Sequence, residues 1–494
     1  MICVSLGRTR HQKMIEEQIA LAKAGAELIE LRLDFLSRPP DVAGLIKDRP
    51  VPVVITCRRR ADRGLWRWDE AARQTALRTA IGCEADYVDL EEDIAAAIPR
   101  FGKTKRIVSH HNFEETPANL VELHARMKKL DPDIIKLVTM ANSPDDAVRL
   151  LEITSNSEIP TIGFCMGDLG LFSRILCGKY GAPFTYATFS SDRVMAPGQL
   201  AFREMRDLYQ FDQIGPETKV FGVVGDPIGH SLSPLLHNKA FRHHGMNCVY
   251  LPIRIPRNAL TETLNAMNWL DIRGYSVTIP HKEAAMEYAD ECDESVKRIG
   301  AANTLFRGAD NIWHASNTDC EAAIQSIRTG LAAGQTLEGK KAIVLGAGGA
   351  ARAVIEGLTR TGAFVTIANR SNSRSEKLAD EFGCSFVRWE HRGRELGEIL
   401  INCTPVGMSP QMDETPFPEN WLSPGMLVFD TVYNPENTLL IKQARGRGCK
   451  TVSGVEMFIR QAAAQFERFT GESPDLGQLR TTLRRKISAV NYDD

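Results

Sequence analysis

The sequence lacks the features that would place it in a membrane, on nucleic acid or around a metal. No stretch approaches the roughly 18–20 consecutive apolar residues that span a bilayer. The formal net charge of −2 provides no broad basic surface for nucleic acid. The eleven cysteines are scattered without a Cys-x-x-Cys spacing, which argues against a zinc site and a disulfide framework. We therefore expect small-molecule partners, with no metal, no nucleic acid and no membrane.

The cysteines and the first residues indicate the compartment. Cys57, Cys165 and Cys403 lie in apolar, strand-like runs, which is typical of buried thiols in a reducing environment. The residues MICVSLG have the pattern of a strand rather than of a signal peptide. We therefore expect a cytoplasmic protein. Its 494 residues are too many for one ordinary core, so two or three domains are predicted.

Residues 1–212 repeat a strand-then-helix pattern. The predicted strands are Ile2–Gly7, Leu28–Asp34, Val51–Arg58, Tyr87–Glu92, Arg106–Phe113, Ile134–Met140, Thr161–Gly167 and Phe184–Phe189. Helical patterns between them include Met14–Ala24, Glu70–Ile81, Leu120–Lys129 and Asp145–Ile153. This alternation favours a small (β/α)8 barrel. A doubly wound open sheet is the alternative, and the lack of a Gly-rich phosphate turn in this half argues against it.

Polar side chains end these strands, at the edge where barrel enzymes carry their chemistry. Alternation places Glu30 and Arg32 on one inward face, and it turns the adjacent His110 and His111 to opposite faces. Lys136 lies within the apolar strand Ile134–Met140, where burial disfavours an ammonium charge and makes a free amine available. A free amine attacks ketones and forms a Schiff base. The alternative is a structural lysine, ion-paired with Glu30 or Glu91.

The ordered segments ELRLD, TCR, SHHNF, IIK, SR and APGQ resemble the type I 3-dehydroquinate dehydratases. The resemblance covers most of residues 1–212 and implies conversion of 3-dehydroquinate to 3-dehydroshikimate. It implies that Lys136 forms an imine with the substrate ketone, and that His111 acts as base on the neighbouring carbon and as acid for the departing hydroxyl. It also implies substrate contacts from Glu30, Arg32, Arg58, Arg174 and Gln199.

One position departs from that family. The family usually has Ser-Ala-Pro-Gly-Gln near the last strand, where this chain has Met195-Ala-Pro-Gly-Gln199. A substrate-contacting hydroxyl is therefore missing, and Ser190 or Ser191 could replace it. The loss of one hydrogen bond should cost about 0.5–1.5 kcal/mol, too little to abolish the chemistry.

Residues 213–219 are short and polar and are predicted to link the barrel to a second unit. Strands and helices alternate again over residues 220–325. Hydroxyls, amides, one lysine and one aspartate follow the strands, at Ser231, Ser233, Thr278, Lys282, Asn303 and Asp319. Each could be a turn or a helix cap. Their clustering within one domain favours a shared cleft for a small polyhydroxylated acid.

The segment IVLGAGGAARA (Ile343–Ala353) runs from a strand through a glycine turn into a helix. Gly346 would allow the tight turn, and Gly348 would let the backbone approach a pyrophosphate at the helix N-terminus. An NAD site needs an acidic residue at the end of the next strand, and this chain has Asn369, Arg370 and Arg374 there. Guanidinium groups suit a 2′-phosphate, so NADP is expected.

Residues 219–485 resemble the shikimate dehydrogenases. The resemblance implies a substrate domain over 220–325, a Rossmann NADP domain over 326–460 and C-terminal helices over 461–494 that return to the substrate domain. It implies that Lys282 and Asp319 are the catalytic pair. Implied substrate contacts are Ser231, Ser233, Thr278, Asn303, Tyr433 and Gln461. Implied cofactor contacts are Gly346, Ala347, Gly348, Gly349, Ala350, Asn369, Arg370, Arg374, Thr404, Gly454 and Met457.

The two implied reactions are consecutive, so we expect a bifunctional enzyme. Ser276 and Cys320 stand where many bacterial dehydrogenases have Asn and Gly, and with EMFIRQ they resemble the fused enzyme of plants. One alternative is an enzyme of quinate catabolism, and Arg370 with Arg374 argues against an NAD-linked version. The other is a non-catalytic regulator that senses the same metabolites, and retention of all the candidate catalytic residues argues against it. The oligomeric state stays open.

Overall fold

The computed structural model describes residues 1–394 and 397–488, and the chain forms two compact units. The first contains Met1–Gly222, Pro227–Gly229 and Gly245–Ile272. The second contains Val223–Asp226, His230–His244 and the residues from Arg273 onward. Residues 395–396 of the predicted Rossmann domain and 489–494 of the predicted C-terminal helices lie outside the described residues. The domain boundaries given above stay predictions.

A parallel eight-stranded sheet forms the centre of the first unit, with strand order β7-β6-β5-β4-β3-β2-β1-β8. The strands are β1 (Ile2–Leu6), β2 (Leu28–Arg32), β3 (Val53–Thr56), β4 (Tyr87–Glu91), β5 (Lys105–Asn112), β6 (Ile134–Met140), β7 (Thr161–Met166) and β8 (Thr185–Thr188). The edge strands β7 and β8 approach each other, with 6.4 Å between the ring centroids of Phe164 and Tyr186, so the sheet curls back on itself. No ladder joins β7 to β8 within residues 1–394. The predicted barrel is therefore confirmed in a near-closed form, and the open-sheet alternative is wrong.

Helices follow most of these strands. They are α1 (His11–Lys23), α2 (Val42–Ile46), α3 (Glu70–Gly82), α4 (Leu120–Lys128), α5 (Pro144–Asn156) and α6 (Leu171–Leu176). Local sequence determines several of their starts. The Asp69 side chain accepts the Ala72 N–H at the start of α3, and Ser143 forms a capping box with Asp146 at the start of α5. The apolar sides of helices and strands bury a core that includes Ile107, Leu137 and Leu151, which fixes where the strand ends meet.

A second sheet follows, with order β10-β9-β11-β13-β14-β12. Its strands are β9 (Lys219–Gly225), β10 (Cys248–Arg254), β11 (Ile272–Val277), β12 (Glu291–Cys292), β13 (Thr304–Arg307) and β14 (Trp313–Ser316). Strand β13 is antiparallel to both β11 and β14. The helices of this segment are α7 (Ser233–His243), α8 (Leu260–Ala266), α9 (Lys282–Tyr288), α10 (Glu294–Ile299) and α11 (Thr318–Thr329).

The third sheet is parallel, with order β17-β16-β15-β18-β19-β20. Its strands are β15 (Lys341–Leu345), β16 (Phe364–Asn369), β17 (Ser385–Arg388), β18 (Ile399–Asn402), β19 (Leu427–Asp430) and β20 (Lys450–Val452). The helices are α12 (Gly349–Arg360), α13 (Asn372–Phe382), α14 (Leu439–Gly446), α15 (Gly454–Thr470) and α16 (Leu476–Ile487). This is the doubly wound dinucleotide-binding order, so the predicted Rossmann fold is confirmed.

Helices α15 and α16 both pack against α7. Within residues 1–394 and 397–488, every helix is too short or too polar to cross a membrane.

Candidate functional sites

A cavity of about 180 Å³ opens at the carboxyl ends of the barrel strands. All the substrate and catalytic residues predicted for the barrel line it. They are Glu30, Arg32, Arg58, His111, Lys136, Arg174 and Gln199. The walls also include residues that the sequence analysis did not single out, namely Ser5, Asp62, Arg63, Phe113, Val138, Phe164, Met166, Tyr186, Ala196 and Pro197. The cavity therefore contains an amine, an imidazole and several guanidinium groups.

Lys136 is buried and ion-paired, but its nearest partner differs from the two suggested by the sequence. Its Nζ lies 3.0 Å from Asp89 Oδ2 and 3.8 Å from Glu30 Oε1. It also lies 3.8 Å from the centroid of the Tyr186 ring. Alternation in β4 places Tyr87, Asp89 and Glu91 on one face, so the sequence alone does not distinguish Asp89 from Glu91 as the partner. Glu91 binds Arg58 and Arg73 instead.

Asp89 is the centre of a buried charge network. It accepts hydrogen bonds from Arg58 Nη2 at 2.8 Å and from Ser109 Oγ at 2.7 Å, in addition to Lys136. Burial opposes ionisation of Asp89, but the Arg58 and Lys136 cations outweigh it and hold the pKa of this carboxyl well below its usual range. Arg58 binds Glu91 as well, at 2.9 Å. Arg58 therefore lines the cavity with both of its terminal nitrogens already bound to carboxylates.

His111 has the protonation state that a general base needs. Burial, followed by the nearby Arg58 and Lys136 cations, lowers the pKa of His111 well below its ordinary value, so the ring is neutral near pH 7. Its Nδ1 is buried and has no hydrogen-bond partner among the described residues. The ring stacks on Phe113, with centroids 6.0 Å apart and planes 15° apart. The neighbouring His110 binds Glu92 at 2.8 Å and does not line the cavity.

Arg174 is a fully buried guanidinium with unused donors. Its Nη1 donates a long bond of 3.4 Å to the Tyr186 carbonyl, while Nε and Nη2 have no partner among the described residues. The group lies 4.2 Å from the centroid of the Phe164 ring. Burial lowers the pKa of Arg174 to about 10, which still leaves it charged at neutral pH. A buried cation without an anion is costly, so this position is suited to an anionic ligand.

The loop after β8 forms one wall of the cavity. Gln199 Oε1 accepts the Met195 N–H at 3.0 Å, which fixes the loop on itself. Met195 and Gln199 line the cavity, whereas Ser190 and Ser191 are not among its lining residues. The Ser190 hydroxyl binds Asp192. These contacts give no support to replacement of the missing hydroxyl by Ser190 or Ser191.

The second unit brings Lys282 and Asp319 into direct contact, as an ion pair between Nζ and Oδ2. Lys282 begins α9, and Asp319 lies in the first turn of α11. Asn317 caps α11 by accepting the Asp319 N–H at 3.1 Å. A Cβ added at Gly349 would lie 3.5 Å from Lys282 Cδ, so the glycine turn reaches the ion pair.

Of the other predicted substrate residues, Asn303 is connected to this pair, and the rest make contacts of their own. Asn303 Nδ2 donates to Thr318 Oγ1 at 2.9 Å, next to Asp319. Ser276 donates to Gln465 Oε1 at 2.7 Å, and Gln465 donates to the Asn303 carbonyl at 3.0 Å, a connection that the sequence did not suggest. Phe458 and Gln461 lie nearer the start of α15. The Tyr433 ring stacks on Phe458 with 4.1 Å between centroids, and Gln461 donates to the Phe458 carbonyl. The Ser231 hydroxyl accepts the Ser233 N–H at 3.3 Å, and the Thr278 N–H donates to the Val224 carbonyl at 3.0 Å.

The glycine turn has the shape that a dinucleotide requires. Gly346 has φ +112°, and a Cβ there would lie 3.0 Å from the Cys403 carbonyl oxygen, so only glycine fits. A Cβ at Gly348 would meet nothing within 4 Å, which leaves open space at the start of α12. Ala347 and Ala350 complete the turn without a bulky side chain. Backbone N–H groups at a helix N-terminus with open space in front suit a phosphate.

The remaining predicted cofactor residues lie at strand ends or on α15. Arg370 and Arg374 are exposed and make no ion pair with any described residue, while Asn369 donates to the Ser371 carbonyl. Thr404 donates its hydroxyl to Asn402 at 2.7 Å. Gly454 allows a close approach of the backbone, because a Cβ there would lie 2.4 Å from the Thr431 carbonyl oxygen. Met457 is buried on α15. The residues present therefore fit a dinucleotide with a 2′-phosphate.

Models of known families match both halves of the chain. The type I 3-dehydroquinase model matches residues 2–216. The shikimate dehydrogenase substrate binding domain matches residues 223–305, the shikimate/quinate 5-dehydrogenase model matches residues 330–402, and the shikimate 5′-dehydrogenase C-terminal domain matches residues 454–484.

Known proteins match over the same ranges. A bifunctional 3-dehydroquinate dehydratase/shikimate dehydrogenase of Arabidopsis thaliana, described as chloroplastic, is 40% identical over 95% of this chain and 82% of its own length. A shikimate dehydrogenase solved in complex with NADP⁺ is 35% identical, with a TM-score of 0.52 over 55% of this chain and 97% of its own. A quinate dehydrogenase of Corynebacterium glutamicum, solved with NAD, is 30% identical, with a TM-score of 0.50 over 54% of this chain and 98% of its own.

Proposed function

The chain belongs to the family of bifunctional 3-dehydroquinate dehydratase/shikimate dehydrogenases, and we propose that each of its two sites catalyses one of the two reactions. The protein is a shikimate-pathway enzyme with a lyase activity and an NADP-dependent oxidoreductase activity. The barrel cavity dehydrates 3-dehydroquinate to 3-dehydroshikimate. The site around Lys282 reduces 3-dehydroshikimate to shikimate.

In the barrel, Lys136 is the nucleophile. Once its ammonium group has lost a proton to solvent, the amine adds to the substrate ketone and water is lost, which gives an imine. The protonated imine draws electrons from the neighbouring carbon, so neutral His111 can remove a proton there. The electron pair expels the hydroxyl one carbon further along, and the proton on His111 leaves with it as water. Hydrolysis then frees 3-dehydroshikimate and restores Lys136.

The single observation that carries the dehydratase assignment is the unpaired, buried guanidinium of Arg174 in the same cavity as Lys136. If Lys136 were only structural, nothing would offset the cost of burying Arg174 without an anionic partner. A substrate carboxylate supplies the missing charge in a bidentate geometry. Glu30, which accepts bonds from Ser5 and Thr56, and Gln199 provide further polar contacts for hydroxyl groups.

Borohydride reduction tests this half. With 3-dehydroquinate present, borohydride should reduce the imine and add the mass of the bound carbon skeleton to the peptide that contains Lys136. Lys105, on the neighbouring strand, is the matched control and should stay unlabelled. Labelling of a different lysine, or no labelling during active turnover, would show that Lys136 is not the nucleophile.

In the second site, Lys282 is the proton donor and Asp319 positions it. NADPH, when bound, supplies the hydride that reaches the ketone carbon. Lys282 polarises the carbonyl and delivers a proton to its oxygen, and the Asp319 carboxylate orients the ammonium group through the ion pair. We assign substrate hydroxyl and carboxylate contacts to Ser231, Ser233, Thr278, Asn303, Tyr433 and Gln461. A Lys282→Met variant should keep its NADPH affinity and lose at least about 10²-fold in kcat for the reduction, as expected for loss of a general acid.

Two further assignments belong to this proposal. The free thiols and the absence of any disulfide among the described residues support a reducing compartment, for which we propose the cytoplasm. Oxidation of quinate is the second candidate activity, because a quinate dehydrogenase is among the similar structures. Comparison of kcat/KM for shikimate with NADP and for quinate with NAD separates the two, and we expect shikimate with NADP to be preferred.

A further inference from the structure

Arg63 lies at the mouth of the barrel cavity and has no part in the steps described above. It follows a short 3-10 turn, Arg60–Asp62, and lines the cavity together with Asp62 and Phe113. Its side chain is exposed and makes neither a hydrogen bond nor an ion pair with any described residue. Its one contact is with an aromatic ring, since the guanidinium carbon lies 4.7 Å from the centroid of Phe113. The five donors of this cation therefore face solvent and the cavity.

The backbone of Arg63 is in a conformation that arginine rarely adopts. Its φ is 56° and its ψ is 23°, in the left-handed region that favours glycine. A side chain there costs roughly 1–2 kcal/mol relative to the ordinary conformation. Non-glycine residues held in this region cluster at ligand sites, where the surrounding structure over-determines them. The conformation of Arg63 is therefore of the kind found at ligand sites.

Buried contacts hold the loop of Arg63 in one position. Asp34 is fully buried and accepts the Leu65 N–H at 3.0 Å and the Arg58 N–H at 3.3 Å, which fixes both ends of the loop. A Cβ at Gly64 would lie 2.0 Å from the Arg58 carbonyl oxygen, so the chain turns tightly against the end of β3. Because the backbone of the loop is fixed before any ligand arrives, no backbone ordering is needed when Arg63 binds.

Phe113 connects Arg63 to the proposed base. One face of Phe113 contacts the Arg63 guanidinium, and its ring stacks on His111. Arg63 is thus held beside the wall that carries His111, in the cavity that also contains Lys136. Arg174 occupies a buried part of the same cavity, whereas Arg63 is at its exposed edge. Met195, which lacks the hydroxyl usual in this family, is another lining residue.

We propose that Arg63 is an additional substrate-binding residue of the dehydratase site, which donates charge-assisted hydrogen bonds to the bound hydroxylated anion at the cavity mouth. The proposal rests on the dehydratase function proposed above. Arg63 meets the entering substrate first and holds the part that stays nearest to solvent, while Arg174 takes the buried charge.

Kinetics of Arg63→Gly and Arg63→Ala in the full-length protein test this role. We expect the KM for 3-dehydroquinate to rise about five- to thirty-fold with kcat changed less than twofold, as for one exposed charge-assisted contact. Arg67→Ala is the matched control, because Arg67 is an exposed arginine of the same segment that does not line the cavity. Its KM should stay within twofold. Thermal melting of each variant reports whether the barrel is folded, and the reduction of 3-dehydroshikimate reports the second unit only.

The glycine variant separates binding from structure. Arg63→Gly relieves the left-handed conformation, so its thermal midpoint should equal or exceed that of the wild type while KM rises. A KM within twofold of the wild type in both Arg63 variants, or an equal rise in Arg67→Ala, would overturn the proposal. Calorimetric binding of 3-dehydroquinate to Lys136→Met, with and without Arg63→Gly, tests the contact independently of turnover. Weaker binding in the double variant supports it, and equal binding overturns it, even if the dehydratase chemistry assigned to Lys136 fails.

Discussion

Lys136 and Asp89 form a buried ion pair across the barrel interior, with 3.0 Å between Nζ and Oδ2. The pair joins β6 to β4, which are separated by β5 in the sheet. Asp89 and Glu30 surround the amine with negative charge, and the same charge can stabilise the protonated imine that Lys136 forms. The ion pair is therefore part of the proposed catalytic site as well as of the barrel core.

Replacement of Asp89 by Asn should impair the barrel and spare the second site. The change keeps the shape but leaves Arg58 and Lys136 with less neutralising charge, and removing one partner of a buried pair typically costs 3–5 kcal/mol. We expect a lower thermal midpoint and at least a hundredfold loss of dehydratase kcat/KM. Glu92→Gln is the control, since Glu92 pairs with His110 and Arg126 outside the cavity. Equal effects of the two substitutions would contradict the role of Asp89.

Replacement of Arg174 by Met should raise the thermal stability of the protein and weaken the binding of 3-dehydroquinate. Removing a buried cation that lacks a protein anion relieves an unfavourable desolvation, so the thermal midpoint should rise by about 2–4 °C per kcal/mol gained. The KM for 3-dehydroquinate should rise by about a hundredfold, because the carboxylate loses a charge-assisted contact. Thermal melting and steady-state kinetics measure the two effects. A destabilised variant with an unchanged KM would show that Arg174 is structural.

His111 should not titrate in the neutral range. Burial and the Arg58 and Lys136 cations lower its pKa well below the ordinary value of about 6.5, so the neutral ring persists as the pH falls from 8 to 6. The stability that this group contributes is present above the unfolded-state pKa and is lost as the pH falls towards the folded-state pKa. Histidine NMR should therefore show a constant His111 shift over this range, and the wild type should lose stability relative to His111→Gln below pH 6.5. A titration midpoint at 6.5 or above would contradict the assignment.

Arg370 and Arg374 should determine the choice of dinucleotide. Both are exposed and unpaired in the described part of the chain, at the strand end where a 2′-phosphate would lie. In the Arg370→Ala/Arg374→Ala double variant, we expect the KM for NADPH to rise about 10- to 100-fold, because two charge-assisted contacts are lost. The KM for NADH should change less than twofold, which makes NADH the internal control. A proportional rise in KM for both dinucleotides would show that the arginines do not bind the 2′-phosphate.

Local signals were sufficient to predict the barrel and the Rossmann fold, but not the antiparallel pairing of β13 in the second sheet. Each barrel strand is an apolar run bounded by a helix pattern, and the short loops leave few ways to arrange eight such units. Gly346 was identifiable because its positive φ favours glycine, and Gly348 because a residue without a side chain leaves open space at the start of α12. Of the predicted catalytic residues, Lys136 lies within β6, His111 lies near the end of β5, and Lys282 and Asp319 lie at helix starts.

Contacts that depend on register or loop geometry were not predictable. Asp89 reaches Lys136 across an intervening strand, so Glu30 and Glu91 were equally reasonable partners from sequence. The left-handed turn at Arg63 and its anchoring by Asp34 depend on hydrogen bonds between loops that are far apart in the chain. Ser276 was noted only as a departure from bacterial relatives, and its bond to Gln465 required the position of α15.

Oxidation of NADPH with 3-dehydroquinate as the only other substrate tests the central claim, that one chain performs both steps. We predict that absorbance at the NADPH wavelength falls after a short lag, since 3-dehydroshikimate must first form. Lys136→Met should abolish this signal but keep full activity on added 3-dehydroshikimate, and Lys282→Met should abolish both. No oxidation from 3-dehydroquinate by a wild-type protein that reduces 3-dehydroshikimate would contradict the account.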